Sequence, residues 1–187
     1  QYVNGKKITV DVRFNLISYD TYGFKAYSNY DPAYELVIDP VILQWSTFVG
    51  GTGGSGSGNI NDISCDLGGS THGTGYYNAS YPTTVGLYNG GDDVFVFKLN
   101  TTGTALSWAT YIGSPGNESG NGISYTPTVP PVLSVTGYTN SSLFPTTIGA
   151  DDLTYNGGIS DAFFLTLNAN TGVLGYSTFL GGSGEDV

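Results

Sequence analysis

The sequence contains no methionine, one cysteine (Cys65), one histidine (His72), and five basic residues against fifteen acidic ones. Each scarcity removes a class of function. Nucleic-acid binding needs clustered cations to neutralise phosphates, and here the net charge is −10 and the only basic pair is Lys6-Lys7, so no nucleic-acid partner is expected. Docking on anionic lipid is excluded on the same ground. No run of about eighteen apolar residues occurs, so no membrane span is expected. A single cysteine cannot form an intramolecular disulfide. Cys65 reads as a small buried hydrophobe on a strand, with an intermolecular bridge as the alternative. Any Ser-His-Asp or Cys-His site would have to use His72, which lies among Gly, Ser and Thr and reads as a surface residue. Without methionine, Gln1 is expected to be a processed or cut end, which a signal peptide removed upstream would explain.

Helical patterning is missing as well. No stretch of about twelve residues keeps apolar residues at i, i+3, i+4 and i+7 without Gly or Pro. What the chain has instead is Gly 29, Tyr 15 and a charged fraction of only 11%, the composition of short strands joined by tight turns. One strand signature occurs three times: Trp45-Ser46-Thr47-Phe48-Val49-Gly50, Trp108-Ala109-Thr110-Tyr111-Ile112-Gly113 and Tyr176-Ser177-Thr178-Phe179-Leu180-Gly181. The leading rings lie 63 and then 68 residues apart, and a strand signature recurring at a long period marks a repeat architecture.

The intervening residues repeat in the same order. Thr74-Gly75-Tyr76 returns as Thr136-Gly137-Tyr138, Tyr81-Pro82-Thr83-Thr84 as Phe144-Pro145-Thr146-Thr147, and Asp93 to Asn100 as Asp161 to Asn168. The run Val94 to Leu99 is almost continuously apolar, which argues burial on both faces, and Phe95, Phe97, Leu99, Phe163, Leu165 and Leu167 are expected in the core. Val132-Leu133-Ser134-Val135 of the later repeat corresponds to Ser70-Thr71-His72-Gly73 of the earlier one, an eroded strand. Ahead of the repeats, strands are expected over Lys7–Leu16, Phe24–Tyr27, Tyr34–Ile38 and Val41–Val49, and the glycine-rich stretch Gly50–Gly58 reads as a loop or linker. The organisation predicted is all-β, with consecutive four-stranded antiparallel sheets: an N-terminal segment over 1–50, a first repeat over 51–113, and a second repeat with the start of another over 114–187. A β-sandwich is the alternative.

The motifs (aromatic)-Ser-Thr-(aromatic)-(aliphatic)-Gly-Gly-Ser-Gly, Val-Thr-Gly-Tyr-Thr, Phe-Pro-Thr-Thr and Asp-Ala-Phe-x-x-x-Leu-Asn resemble the SBBP type of β-propeller repeat. Ser134–Thr147 and Asp161–Asp186 carry them, 51–113 more loosely, and Leu36–Ile42 is similar to the segment that leads into such repeats. The resemblance implies propeller-like blades in extracellular or surface proteins of bacteria and archaea, with no shared enzymatic chemistry. Propellers close with about four to eight blades, so further sheets are expected from a longer chain or from a neighbour.

Five acids in turns, Asp92, Asp93, Asp161, Glu185 and Asp186, read either as ordinary turn chemistry or as calcium ligands beside glycine-rich loops. Sequons at Asn78, Asn100, Asn117 and Asn140 would be glycosylated on a secreted chain if exposed. Carboxylates alone do not make an enzyme, and none is expected. The leading expectation is an extracellular structural protein, the subunit of a surface fibre or layer, in which a terminal strand adds to a neighbouring copy's sheet. The other is an adhesion module that binds glycan or protein through ring-rich loops such as Tyr76-Tyr77 and Tyr81.

Overall fold

The computed structural model of this chain describes residues 1–18, 21–27, 30–36, 45–50, 56–78, 81 and 84–187, with side chains at all but positions 14, 16, 21 and 22. Every regular element among them is a β-strand. They fall into two compact units, Gln1–Gln44 and Trp45–Val187.

The first unit holds two hairpins. β1 (Tyr2–Val3) pairs with β2 (Lys6–Lys7) across Asn4-Gly5, whose φ values of 50° and 76° give the twist that a two-residue hairpin turn needs. β3 (Val12–Ser18) pairs antiparallel with β4 (Thr21–Ala26). Gln1 gathers the segment: its side-chain amide donates to the carbonyls of Asp31 at 2.6 Å and Tyr34 at 2.9 Å, and its main chain pairs with Ile8. The strand expected over Lys7–Leu16 is therefore broken, because the Asn4-Gly5 turn spends Lys6-Lys7 on a separate hairpin. Tyr34–Leu36 and Trp45–Val49 are not strands either, so no four-stranded sheet forms over 1–50 among the described residues. Val37–Gln44, Gly51–Ser55 and Pro82-Thr83, parts of the expected strands, linker and motif, lie outside the described residues.

The second unit contains two consecutive four-stranded antiparallel meanders. One runs β5 (Gly58–Cys65), β6 (Thr71–Tyr77), β7 (Asp93–Leu99), β8 (Leu106–Ile112). The other runs β9 (Glu118–Thr126), β10 (Val132–Thr139), β11 (Asp161–Asn168), β12 (Leu174–Phe179). The β9–β10 hairpin forms despite Pro127, Pro130 and Pro131, which all fall in its connection, where the Val129–Pro130 bond is cis. Both sheets are open, and they do not close into a propeller.

The sheets stack face to face. Val94, Val96, Trp108 and Ile112 of the first sheet meet Leu133, Val135, Phe163, Leu165 and Leu167 of the second in one core cluster. On its other face the first sheet buries Phe95, Phe97, Ala109 and Tyr111 under Trp45, Val49, Tyr81 and Tyr88. β7 is thus covered on both sides, which is why its sequence hardly alternates, whereas β11 alternates strictly between buried and half-buried positions. All six expected core residues are 7% exposed or less.

The last threonine of the repeated Pro-Thr-Thr motif, Thr84 or Thr147, bonds to the free edge of each fourth strand. Thr147 N–H donates to the Ser177 carbonyl at 3.0 Å, and Ser177 N–H donates to the Thr147 hydroxyl at 3.0 Å. Thr84 does the same to Ala109, at 2.9 and 3.3 Å. Thr84 thus stands in for a strand partner in the first sheet, and in the second Thr147 is joined by Asp152, whose carbonyl accepts from Phe179 N–H at 3.1 Å; both blunt the edge against further pairing. The last residues fold back on their own repeat, with Asp186 N–H donating to the Ser160 carbonyl at 2.8 Å.

Candidate functional site

The most elaborate polar and aromatic construction in the molecule is the joint between the two sheets. β9 is an edge strand, and side chains of β5 satisfy its outward main chain. Ile123 N–H donates to Asp62 Oδ2 at 2.8 Å and Tyr125 N–H to Ser64 Oγ at 3.1 Å. The bulged Asn61 donates through Nδ2 to Ser119 Oγ at 3.0 Å and to the Gly120 carbonyl at 2.9 Å. Four groups that would otherwise face solvent or a core are thereby paired across the joint.

At the far end of the joint Trp108 covers a turn of the second repeat, and on the other face of the first sheet Trp45 covers the corresponding turn of the first. Gly103 and Gly172 take φ of 66° and 72°, where glycine is favoured, and each lies flat beneath an indole. A Cβ on Gly172 would sit 2.6 Å from Trp108 Cε3, and one on Gly103 would press into the Trp45 ring. Trp108 Nε1–H also donates to the Ala169 carbonyl at 3.2 Å. The first signature copy therefore keeps its ring in the equivalent place while its backbone is not in the ladder.

His72 belongs to the same joint. It is fully buried rather than on the surface, stacked on Tyr125 with ring centroids 5.8 Å apart and tilted towards Trp108 at 6.2 Å. Neither ring nitrogen makes a full hydrogen bond, and burial holds its pKa below the ordinary histidine value. Cys65, by contrast, is exposed at the end of β5, where the strand pairs on one side only. The buried-hydrophobe reading is corrected there.

The acids sort by environment. Asp93 and Glu118 are both completely buried and flank Gly113, whose absent Cβ would press on Asp93 Oδ1 and sit 2.6 Å from Glu118 Oε2. Glu118 takes hydrogen bonds from Ser114 N–H at 3.0 Å, Ser114 Oγ at 2.8 Å and Thr139 Oγ1 at 2.8 Å. Asp93 Oδ2 accepts from Asn89 N–H at 2.7 Å, and its Oδ1 has no donor. Burial raises both pKa values, and the two carboxyls titrate as a unit that holds a proton more tightly than either acid in water. The pair joins the start of β7 to the starts of β9 and the end of β10, across the two repeats.

Asp161 repeats the Asp93 arrangement. Its Oδ2 accepts from Asn156 N–H at 2.7 Å and its Oδ1 is buried without a donor, against Gly181. Asp186, the counterpart of Glu118, accepts from Gly182 N–H at 2.8 Å but is one methylene shorter and half-buried. Asp92 serves through its main chain, donating to Asn117 Oδ1 at 3.0 Å and accepting from Glu118 N–H, and Glu185 is exposed. The structure thus joins Asp93 to a residue absent from the expected set, Glu118. The 68-residue offset that places Gly113 on Gly181 also places Glu118 on Asp186, and was the available signal. Among the described residues, no three His, Cys, Asp or Glu side chains come together to hold a metal ion. Calcium takes about six to eight oxygens, and the Asp93–Glu118 pair offers two carboxyls with three oxygens already occupied by donors.

All four sequon asparagines use the side-chain oxygen to accept a main-chain N–H: Asn78 from Ser57 at 2.6 Å, Asn100 from Thr104 at 2.9 Å, Asn117 from Asp92 at 3.0 Å and Asn140 from Asn117 at 2.8 Å. Asn78, Asn117 and Asn140 are exposed. Of the half-buried rings put forward for ligand stacking, Tyr81 packs edge-on to Phe95 at 4.9 Å and Tyr77 lies tilted to it at 6.2 Å, while the Tyr76 hydroxyl accepts from Asn59 Nδ2 at 3.1 Å.

Residues 1–41 match the family described as Domain of unknown function (DUF7948). No curated protein matches the chain. The matched span lies within the first compact unit, Gln1–Gln44, so the DUF7948-like segment and the stacked sheets are separate units of one polypeptide. No helix among the described residues is long and apolar enough to cross a membrane.

Proposed function

We propose that this chain is a non-catalytic structural protein of an extracellular surface assembly, in which β-repeats lock to one another face to face. The observation that carries this reading is the joint. The same contact, a signature ring over the left-handed turn glycine of the following repeat, is made by Trp45 on Gly103 and again by Trp108 on Gly172. A contact repeated along a chain is the device by which solenoids and blades build extended bodies from units that cannot bury their own faces. The shared motifs support taking these sheets as repeats of the SBBP β-propeller type. An acidic surface with three exposed sequon asparagines supports a secreted location.

Assembly in this reading uses faces rather than strand ends, since Thr84 and Thr147 occupy the outer edges and 181–187 is hydrogen-bonded within its own repeat. Electron microscopy of the protein recovered from its native surface, combined with light scattering of the purified chain, tests the proposal. Ordered arrays or fibres are expected on the surface. Isolated compact particles in the native material would count decisively against it.

A further inference from the structure

The two sheets are built alike but are not covered alike. β7 and β8 map onto β11 and β12 at an offset of 68 residues, and β6 maps onto β10 at 62. In the first sheet the residues facing the second are sealed: His72, Thr74, Val94 and Val96 are 0% exposed, Trp108 3% and Ile112 6%. Their counterparts Ser134, Ala162, Phe164 and Tyr176 are half-buried, Thr136 is exposed, and Leu180 is 55% exposed. Asn121 occupies the bulge of β9 as Asn61 occupies the bulge of β5; Asn61 reaches across to Ser119 and Gly120 of the next sheet, whereas Asn121 accepts from Ser119 Oγ of its own strand at 3.1 Å. The second sheet therefore presents, uncovered, the set of positions through which the first sheet holds its neighbour.

We infer that the face of the second sheet around Phe164, Tyr176 and Leu180 is the seat for a further four-stranded repeat of this type, which docks with its turn glycine under the Tyr176 ring. The internal joint specifies the partner's chemistry. It must bring an aliphatic and aromatic sheet face like that of Leu133, Val135 and Leu165, and a left-handed glycine like Gly172 for the ring to lie on. A second copy of this chain cannot supply that face as it stands. The matching side of its first sheet is already under Trp45 and Val49, and that of its second sheet is under the first. The inference rests on the structural reading above and narrows it to one surface and one kind of partner.

The test extends the full chain by its own second repeat, joining Ser119–Val187 after Asp186, which preserves the 68-residue offset. Both the parent and the extended chain carry Cys65→Ser and Leu180→Cys, and thiol labelling at position 180 is timed. In the extended chain labelling is expected to slow at least about tenfold, towards the rate of an Ile112→Cys reference, because the seat must open before reagent enters. Unchanged labelling beside a protease-resistant added repeat overturns the inference. So does an added repeat that stays protease-sensitive, since it was offered its seat and did not fold on it. If labelling of the parent slows as its own concentration rises, a second copy is the occupant and the assignment is wrong. The measurement is made within one polypeptide in solution, so it reads the seat whatever the imaging of native material shows.

Discussion

Gly73 in β6 lies under the ring of Phe97 in β7, so close that a Cβ would sit 2.5 Å from Phe97 Cε1 and Cζ. The two are cross-strand partners, and the pair at the same place in the second sheet is Val135 and Leu165. One sheet uses nothing and a ring; the other uses two aliphatics. The eroded strand is therefore filled from across the ladder, by a ring in place of two aliphatic side chains.

That exchange predicts strong coupling. Gly73→Val alone drives methyls into the ring, and Phe97→Leu alone leaves a void; each is expected to cost about 1–3 kcal/mol. The double substitution recreates the second sheet's pair and should recover most of the loss. Urea unfolding of all four proteins gives the interaction energy directly. Losses that simply add would show that the two positions are not one packing unit.

Trp108 and Tyr176 occupy equivalent positions, but only Trp108 has a turn to cover. Trp108→Ala is expected to cost about 3–5 kcal/mol, as for a buried ring that also donates a hydrogen bond. Tyr176→Ala, in a half-buried site, should cost well under half of that. Gly172→Ala should be costly for its size, because φ of 72° strains alanine and the added carbon meets Trp108. Thermal unfolding ranks the three, and equal losses at 108 and 176 would contradict the difference in cover.

The Asp93–Glu118 pair gives stability an unusual pH dependence. Burial raises both folded-state values above the ordinary 3.8 and 4.5, so the folded protein binds the shared proton more tightly than the unfolded chain. Their contribution is fully present below those ordinary values and is lost as pH rises through the raised ones. Asp66 works oppositely: burial opposes its ionisation, but Lys98 at 2.9 Å and Ser70 outweigh it and hold its pKa at about 2. That contribution is present above the ordinary value of 3.8 and lost as pH falls towards 2. As pH rises above the ordinary values, the denaturation midpoint should therefore fall more for the parent than for Glu118→Gln, which keeps the shape without the second charge. Parallel slopes would remove the pair as the cause.

Much of the second unit was legible in the sequence because two copies could be read against each other. The core positions of β7 and β11 follow from an apolar run and a strict alternation, and the turns from glycine at fixed offsets. What alternation reports, however, is which side of a strand is covered, not whether its main chain is paired. Trp45–Val49 looks like Trp108–Ile112 for that reason, yet Trp45 and Val49 pack only part-buried against the first sheet, Phe48 is fully exposed where Tyr111 is buried, and only the second copy sits in a ladder. The same limit hid His72 and Cys65. His72 has only small polar neighbours in sequence and owes its burial to Tyr125 and Trp108 arriving from elsewhere, while Cys65 ends a strand whose other edge is unpaired. Glu118 escaped because its repeat partner is an aspartate, Asp186, so the acid position was recognised only in the copy where it is half-exposed.

His72 makes the joint acid-sensitive. The ring is 0% exposed, wedged between Tyr125 and Trp108, with no complete hydrogen bond at either nitrogen. Burial is the largest influence on its pKa and lowers it; Lys98 lowers it further, while Asp66 and the main chain of Ala169 and Ser64 pull the other way without prevailing. A depressed folded-state pKa means that the unfolded chain takes up the proton first. The stability His72 protects is therefore present above the ordinary value of 6.5 and lost as pH falls below it. His72→Phe keeps an aromatic plane against Tyr125 and removes the titration. Denaturation midpoints at pH 7.5 and pH 5 should diverge, with the parent losing more than the variant on acidification. Asp66 adds nothing there, since its losses begin below its ordinary 3.8, and the Asp93–Glu118 pair changes stability in the opposite direction in both proteins. A parent-to-variant difference that is the same at both pH values would show that His72 does not govern the joint.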